Sequence, residues 1–182
     1  MKSVLISIQP KYCELIASGK KTIEVRKSRP NIETPFKCYI YCTYGKASEN
    51  YMLGKRGKVI GDFVCDKITD ISVVVRNCNE DYNQVYNNDE CKGSCLTWKE
   101  LQDYGKGNSL YGWHISDLKI YDKPKELSEF RKPFNPKKLD IRKFIIKNGI
   151  NNIAPDFKSR CDFCDKITRP PQSWCYAESL GE

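Results

Sequence analysis

Gly19-Lys20-Lys21-Thr22-Ile23-Glu24-Val25-Arg26 is the stretch on which the reading of this chain turns. From Thr22 onward the residues alternate. Ile23 and Val25 fall on one face and Thr22, Glu24 and Arg26 on the other, the period of a half-buried strand. Residues two apart on one face are spaced about 6.5–7 Å along a strand. Lys21, at the strand's start, can curl over the same face. Nearby cations favour the charged form of a carboxylate, so Glu24 is expected to hold Lys21 and Arg26 in fixed poses. Arg26 then offers a planar donor fork for a phosphate or a base edge, Lys21 a point charge and Thr22 a hydroxyl. The competing reading is a solvated ladder of surface ion pairs, which contributes little.

Upstream, Val4 to Ile8 is a short β-type run. Pro10 opens a helix that Gly19 closes, with Tyr12, Leu15 and Ile16 forming one apolar stripe. Downstream, Phe36 to Thr43 reads as a strand with Phe36, Cys38, Ile40 and Cys42 facing one way and Tyr39 and Tyr41 the other. Lys58 to Val75 reads as one or two long strands, with Gly61 marking a bulge. Residues 76–95 read as a loop or short irregular element. Thr97 and Glu100 have the spacing of a capping box at a helix start, ended by Gly105-Lys106-Gly107. Ser109 to Tyr121 is again β-type, and Pro124 to Phe130 a short helical turn. Lys138 to Asn148 reads as a second short helix, residues 151–166 as polar loop, and Pro170 to Glu178 as a last strand with a proline at its start. The sum is an α+β chain dominated by a small β-barrel with short flanking helices.

The 182 residues suit one domain, 1–182, with a core large enough to need no staples. The formal charge of +8 is unevenly spread. Lys123 to Lys147 carries nine Lys/Arg against three acids, and Asn77 to Asp103 six acids against two Lys. One face therefore suits a polyanion and another does not. No apolar run is long enough to span a membrane. The start of the chain lacks the long apolar region and small-residue cleavage site of a secretion signal. Ten cysteines are many, but Cys13, Cys38, Cys42 and Cys65 sit in apolar runs as small buried hydrophobes. A reducing, cytoplasmic setting is expected rather than a disulfide scaffold.

The string Gly19-x-Lys21-x-x-Glu24-x-Arg26, placed just after a proline-started helix, resembles the signature of ASCH domains, relatives of the PUA fold. Ser7-Ile8-Gln9-Pro10 resembles that family's opening. Arg169-Pro170-Pro171-Gln172-Ser173-Trp174-Cys175-Tyr176 resembles the ending of bacterial and phage-type members. The resemblance covers roughly residues 2–121 and returns at the final strand, 170–179, leaving 122–168 as a decorating insertion. It implies a PUA-like β-barrel with a basic cleft beside the signature strand and RNA or a nucleotide-like molecule as ligand. In the small amidohydrolases of the family a Lys, a Thr and a Glu act on acetylcytidine. The Lys matches Lys21, but Glu24 stands where the nucleophilic Thr belongs, so the balance leans away from an enzyme.

Tyr39, Tyr41, Tyr111, Trp113 and Trp174 are candidates to stack on a base. Core packing is the commoner use of such residues, and Tyr41 and Trp174 are the best exceptions. The expected ligand-binding set is thus Lys21, Thr22, Glu24, Arg26, Tyr41 and Trp174, with phosphate beside Lys21 and Arg26. Were the chain a hydrolase of a modified nucleoside or of RNA, Lys21, Glu24 and Thr22 would carry the reaction, Glu24 as general base through a water. A third reading is a phage or host interaction module whose protein partner docks on 122–168. His114, the one histidine, is expected to be structural. Cys161-x-x-Cys164 has zinc spacing. A structural site needs four ligands, which Cys175 or Cys91 and Cys95 would have to complete. The alternative, a pair of free or buried thiols, agrees with an expected absence of metal and cofactor.

Overall fold

Alternation in the first strand, β1 (Ser3–Ile8), sets up two buried layers. Val4, Ile6 and Ile8 enter the larger apolar core, and Leu5 enters a second one on the opposite face. The computed structural model describes residues 3–45, 54–71, 89–133 and 166–179. After β1 come helix α1 (Pro10–Ala17), β2 (Ile23–Arg26), β3 (Phe36–Cys42) and β4 (Val59–Ile71). Then follow α2 (Asp89–Ser94), α3 (Trp98–Gly105), β5 (Leu110–Lys125), a 3-10 turn (Leu127–Glu129) and β6 (Phe130–Arg131). Two short strands close the series, β7 (Trp174–Tyr176) and β8 (Glu178–Ser179).

Six strands form one sheet in the order β2-β5-β4-β3-β1-β7, and β6 pairs with β8. β1 and β3 run parallel, with α1 and β2 between them in the chain, and the other neighbours in the large sheet are antiparallel. The sheet curls into a half-barrel. One cause is visible at Gly61, where the β4 registers with both β3 and β5 slip. A Cβ built on Gly61 would lie 2.3 Å from the Lys119 carbonyl oxygen. Only glycine permits that approach, and the bulge lets the long strand bend.

Curling brings the two edge strands, β2 and β7, toward each other without backbone pairing. Side chains close the seam instead. Arg26 Nη2 donates to the Ser7 carbonyl at 2.6 Å. Trp174 Nε1 donates to Ser28 Oγ at 3.1 Å, and the Asn31 N–H donates to Tyr176 Oη at 3.0 Å.

Outside β2 lies a third apolar group, Val25, Ile71, Leu101 and Leu110, covered by α3. Thr97 caps α3: its hydroxyl accepts from the Glu100 N–H, and the Glu100 carboxylate accepts from the Thr97 N–H. Lys106 ends the helix in the left-handed region, at φ 51. Cys13, Cys38, Cys42 and Cys65 are fully buried, as their apolar settings predict.

The structure corrects several boundaries. Residues 89–94, read as irregular, form α2, because a helix this short and polar has no periodic signal. β5 runs past Tyr121 to Lys125, paired along β4. The last strand is split: β7 pairs with β1, and β8 turns to β6. At the break Ala177 is buried, its N–H bonded to the Ser3 carbonyl at 3.0 Å. The helix expected at 138–148, most of the insertion 122–168, and Cys161 and Cys164 lie outside the described residues.

Candidate functional site at the barrel seam

β2 presents its charged face to the barrel interior. Glu24 and Arg26 are 5% and 7% exposed and Lys21 is 2% exposed. Glu24 Oε1 takes Arg26 Nη2 at 3.0 Å, and Glu24 Oε2 has Lys21 Nζ at 3.5 Å. Both cations also hold backbone. Arg26 bonds Ser7, and Lys21 Nζ donates to the Ser94 carbonyl at the end of α2. The ammonium also stands 5.2 Å from the centre of the Tyr12 ring. The three charged groups thus tie together β1, β2, α1 and α2.

Ser7 carries the chain of contacts onward. Its hydroxyl donates to the Pro171 carbonyl at 2.7 Å and its N–H to the Ser173 carbonyl at 2.8 Å. The Pro171–Trp174 segment is thereby fixed against the end of β1. Trp174 is half-buried, with its ring 6.0 Å from Trp113 and 5.6 Å from Tyr176. Trp113 stands directly across from Glu24 in the β2–β5 pair, which brings their Cβ atoms to about 4.5–5.5 Å.

Several polar atoms here are buried without a hydrogen bond: Glu24 Oε2, Arg26 Nε and Trp113 Nε1. They comprise one acceptor and two donors, on adjoining inward positions of two paired strands. Burial lowers the Lys21 pKa below the ordinary lysine value, against the pull of Glu24. Behind the ion pairs, the Cys13 thiol donates to the Ile8 carbonyl at 3.6 Å and the Cys42 thiol to the Thr43 carbonyl at 3.8 Å. The neighbouring Cys42 and burial raise the Cys13 pKa, and the neighbouring Cys13, against burial, lowers that of Cys42.

The expected site residues therefore separate. Lys21, Glu24 and Arg26 come together, and Trp174 stands at their seam. Thr22 is exposed, with Oγ1 beside Gly93. It precedes the paired part of β2, and its N–H and C=O are held by the Gly93 carbonyl and the Ile115 N–H. Tyr41 is buried on the opposite face of β3 with Leu5, Val59 and Phe130, where its place in the alternation puts it. Trp113, which sequence reasoning ranks as core first, is core and also carries an unmade bond. The signal for it is its register opposite Glu24, which needs the strand pairing to be known.

His114 is half-buried and shares a hydrogen bond with Thr69 Oγ1 at 3.2 Å, a structural placement. Among the described residues no group of three or more Cys, His, Asp or Glu is placed to hold a metal ion. No helix among them is long and apolar enough to cross a membrane. An open groove of about 1040 Å³ runs between the loop Arg29–Phe36 and Ile68, and it shares no residue with the charged triad.

The family model of the ASCH domain matches residues 6–140. None of the curated proteins matches the chain. Among solved structures the chain is similar to ASCH from Zymomonas mobilis, at 21% identity and a TM-score of 0.56, covering 96% of this chain and 87% of that one. A tyrosine-to-phenylalanine variant of the same bacterial protein gives 20% identity and a TM-score of 0.54, covering 97% and 90%. At this identity the likeness establishes the fold, a PUA-like half-barrel. With the family model spanning most of its length, the chain belongs to the ASCH domain family.

Proposed function

We propose that the chain binds single-stranded RNA or a free nucleotide by taking one nucleobase into the barrel seam. The observation that carries this reading is the pair of unmade hydrogen bonds at Arg26 Nε and Trp113 Nε1, beside a Glu24 Oε2 whose neighbour is the Lys21 ammonium at 3.5 Å. A buried donor left without a hydrogen bond costs about 1–3 kcal/mol. A nucleobase edge carries donors and acceptors in one plane, and unstacked RNA bases are read through such edges. Trp174 is the stacking partner. Phosphate suits the triad less well, because Lys21 and Arg26 already face Glu24 and two backbone carbonyls. An incoming phosphate would meet the carboxylate. Family and fold support the same direction, since an ASCH domain on a PUA-like fold points to RNA binding or a related function.

Position 24 also favours binding over acyl transfer to a side chain. Its carboxylate is ion-paired on both sides, and the Thr22 hydroxyl stands beside Gly93. Calorimetric titration with the four nucleoside 5′-monophosphates and a mixed-sequence RNA octamer tests the reading. At least one probe should bind. Trp113→Phe, which removes one donor and keeps an aromatic ring, should weaken it about tenfold, the worth of roughly 1.4 kcal/mol. Absence of binding by every probe, or full affinity in Trp113→Phe, sinks the proposal. Release of acetate from acetylcytidine by the wild type, abolished by Lys21→Ala, would replace it with the enzyme reading.

A further inference from the structure

Tyr44 is the large apolar side chain left open to solvent among the described residues, 77% exposed. It is nonetheless seated. A Cβ built on Gly57 would fall 2.2 Å from Tyr44 Oη and 2.3 Å from its Cζ, so the ring rests against the turn Gly54–Lys58. Gly54 and Gly57 hold φ at +84 and +76, which glycine adopts at little cost. The other three residues of the turn, Lys55, Arg56 and Lys58, are all cations. The turn is fixed to the end of β3, with the Gly57 N–H on the Cys42 carbonyl at 2.7 Å and the Cys42 N–H on the Lys58 carbonyl at 2.9 Å. Glu126 faces Lys58 at 2.8 Å, but surface pairs of this kind are weak. Arg56 Nε is buried without a partner.

This patch adjoins the base site. β1 and β3 are parallel, so Cys42–Tyr44 leave the sheet at the edge where Ser7–Pro10 leave it. The Thr43 N–H bonds the Ile8 carbonyl at 2.9 Å, one residue beyond the carbonyl that Arg26 holds. The Cys13 thiol donates to that same Ile8 carbonyl at 3.6 Å, and the Cys42 backbone holds the turn.

We infer that Tyr44 and the turn Gly54–Lys58 form a second contact site, for the backbone phosphates and a neighbouring base of a single RNA strand whose first base occupies the seam. The inference rests on the nucleobase reading above and extends it from a nucleotide to a strand. Tyr44 supplies a stacking face, and the cations follow the phosphates, an arrangement that tolerates any sequence. The contact is electrostatic, so it should release counterions and depend on salt.

The test titrates a fluorescein-labelled, mixed-sequence RNA octamer and the four nucleoside 5′-monophosphates over a range of salt concentration. Wild type should bind the octamer about tenfold or more tighter than any monophosphate. Tyr44→Ala and Arg56→Ala should each remove most of that advantage and leave monophosphate binding unchanged. Arg56→Ala should also reduce the salt slope by about one phosphate contact. Lys106→Ala, on the exposed end of α3, serves as the control that should change neither. Unaltered octamer affinity in Tyr44→Ala and Arg56→Ala, with monophosphates still binding, overturns the second site alone. Binding of neither probe by the wild type overturns the base site and this extension together. Thermal melts of the variants, which alter a surface turn, distinguish lost contacts from lost folding.

Discussion

β2 and β3 alternate in the same way and line the same interior, yet they present opposite chemistry to it. β3 contributes Phe36, Cys38, Ile40 and Cys42, each at most 1% exposed. β2 contributes Glu24 and Arg26, and its apolar residue Val25 faces outward under α3. The barrel interior is therefore apolar beneath β3 and ionic beneath β2. Burying charges costs several kcal/mol per ion, and replacing a buried ion pair by apolar residues is often neutral or stabilising. Stability alone thus gives no reason for the β2 arrangement. Unmade hydrogen bonds at Arg26 Nε and, on the paired β5, at Trp113 Nε1 add to the cost.

The largest expected effect breaks that comparison directly. Glu24→Ala leaves Lys21 and Arg26 buried without their shared counter-charge and should destabilise the fold by roughly 3–5 kcal/mol. Ile40→Val, on the apolar side, should cost only about 0.5–1.5 kcal/mol. Urea denaturation of both variants measures the difference. Equal losses would mean that water reaches the triad, and the contrast between the two strands would fail.

A smaller effect tests the apolar half at its tightest point. Gly61→Ala forces a methyl to within 2.3 Å of a backbone oxygen on β5, which cannot swing away as a side chain can. Overpacking of this kind costs about 1–3 kcal/mol. The β4–β5 pair should also become easier to exchange with solvent, readable by amide exchange at Lys119 and Ile120. A neutral Gly61→Ala would mean that the bulge is not what bends the sheet.

Much of this was legible in the sequence, for reasons that differ by residue. Ile23 and Val25 against Glu24 and Arg26 announced a two-faced strand, because strand geometry fixes side-chain direction at every residue. Thr97 with Glu100 announced a helix start, because the capping box is local chemistry. Alternation could not say which face of β2 is inside. That depends on α3 lying over Val25, a contact between residues about 75 positions apart. The same limit hid Trp113, whose role rests on its register with Glu24. Tyr41 failed as a stacking candidate because its face of β3 is covered by Phe130 and Ile167, from the far end of the chain. The split of the last strand was equally non-local, since β8 needs β6 as a partner.

The smallest effect separates the outer layer of β2 from the inner one. Glu100 Oε2 accepts hydrogen bonds from the Thr97 N–H at 2.8 Å and its hydroxyl at 2.9 Å. The backbone bond is the larger influence, and together they hold the Glu100 pKa below the ordinary 4.5. A carboxylate depressed in the folded state binds fewer protons there than in the unfolded chain. Its contribution is complete above the ordinary value and is lost as pH falls through the folded one. Glu100→Gln keeps an acceptor oxygen but not the charge, so it should melt slightly below wild type at pH 7. The gap should close as pH falls below 4.5 toward the depressed value. Thr97→Ala, which removes the cap itself, should cost about 1 kcal/mol and keep most of that loss at low pH. Both variants loosen α3 over Val25 and leave the ionic face untouched, so nucleotide affinity should match wild type. A loss of affinity in Thr97→Ala as large as in Trp113→Phe would show that the outer helix, not the ionic face alone, shapes the seam.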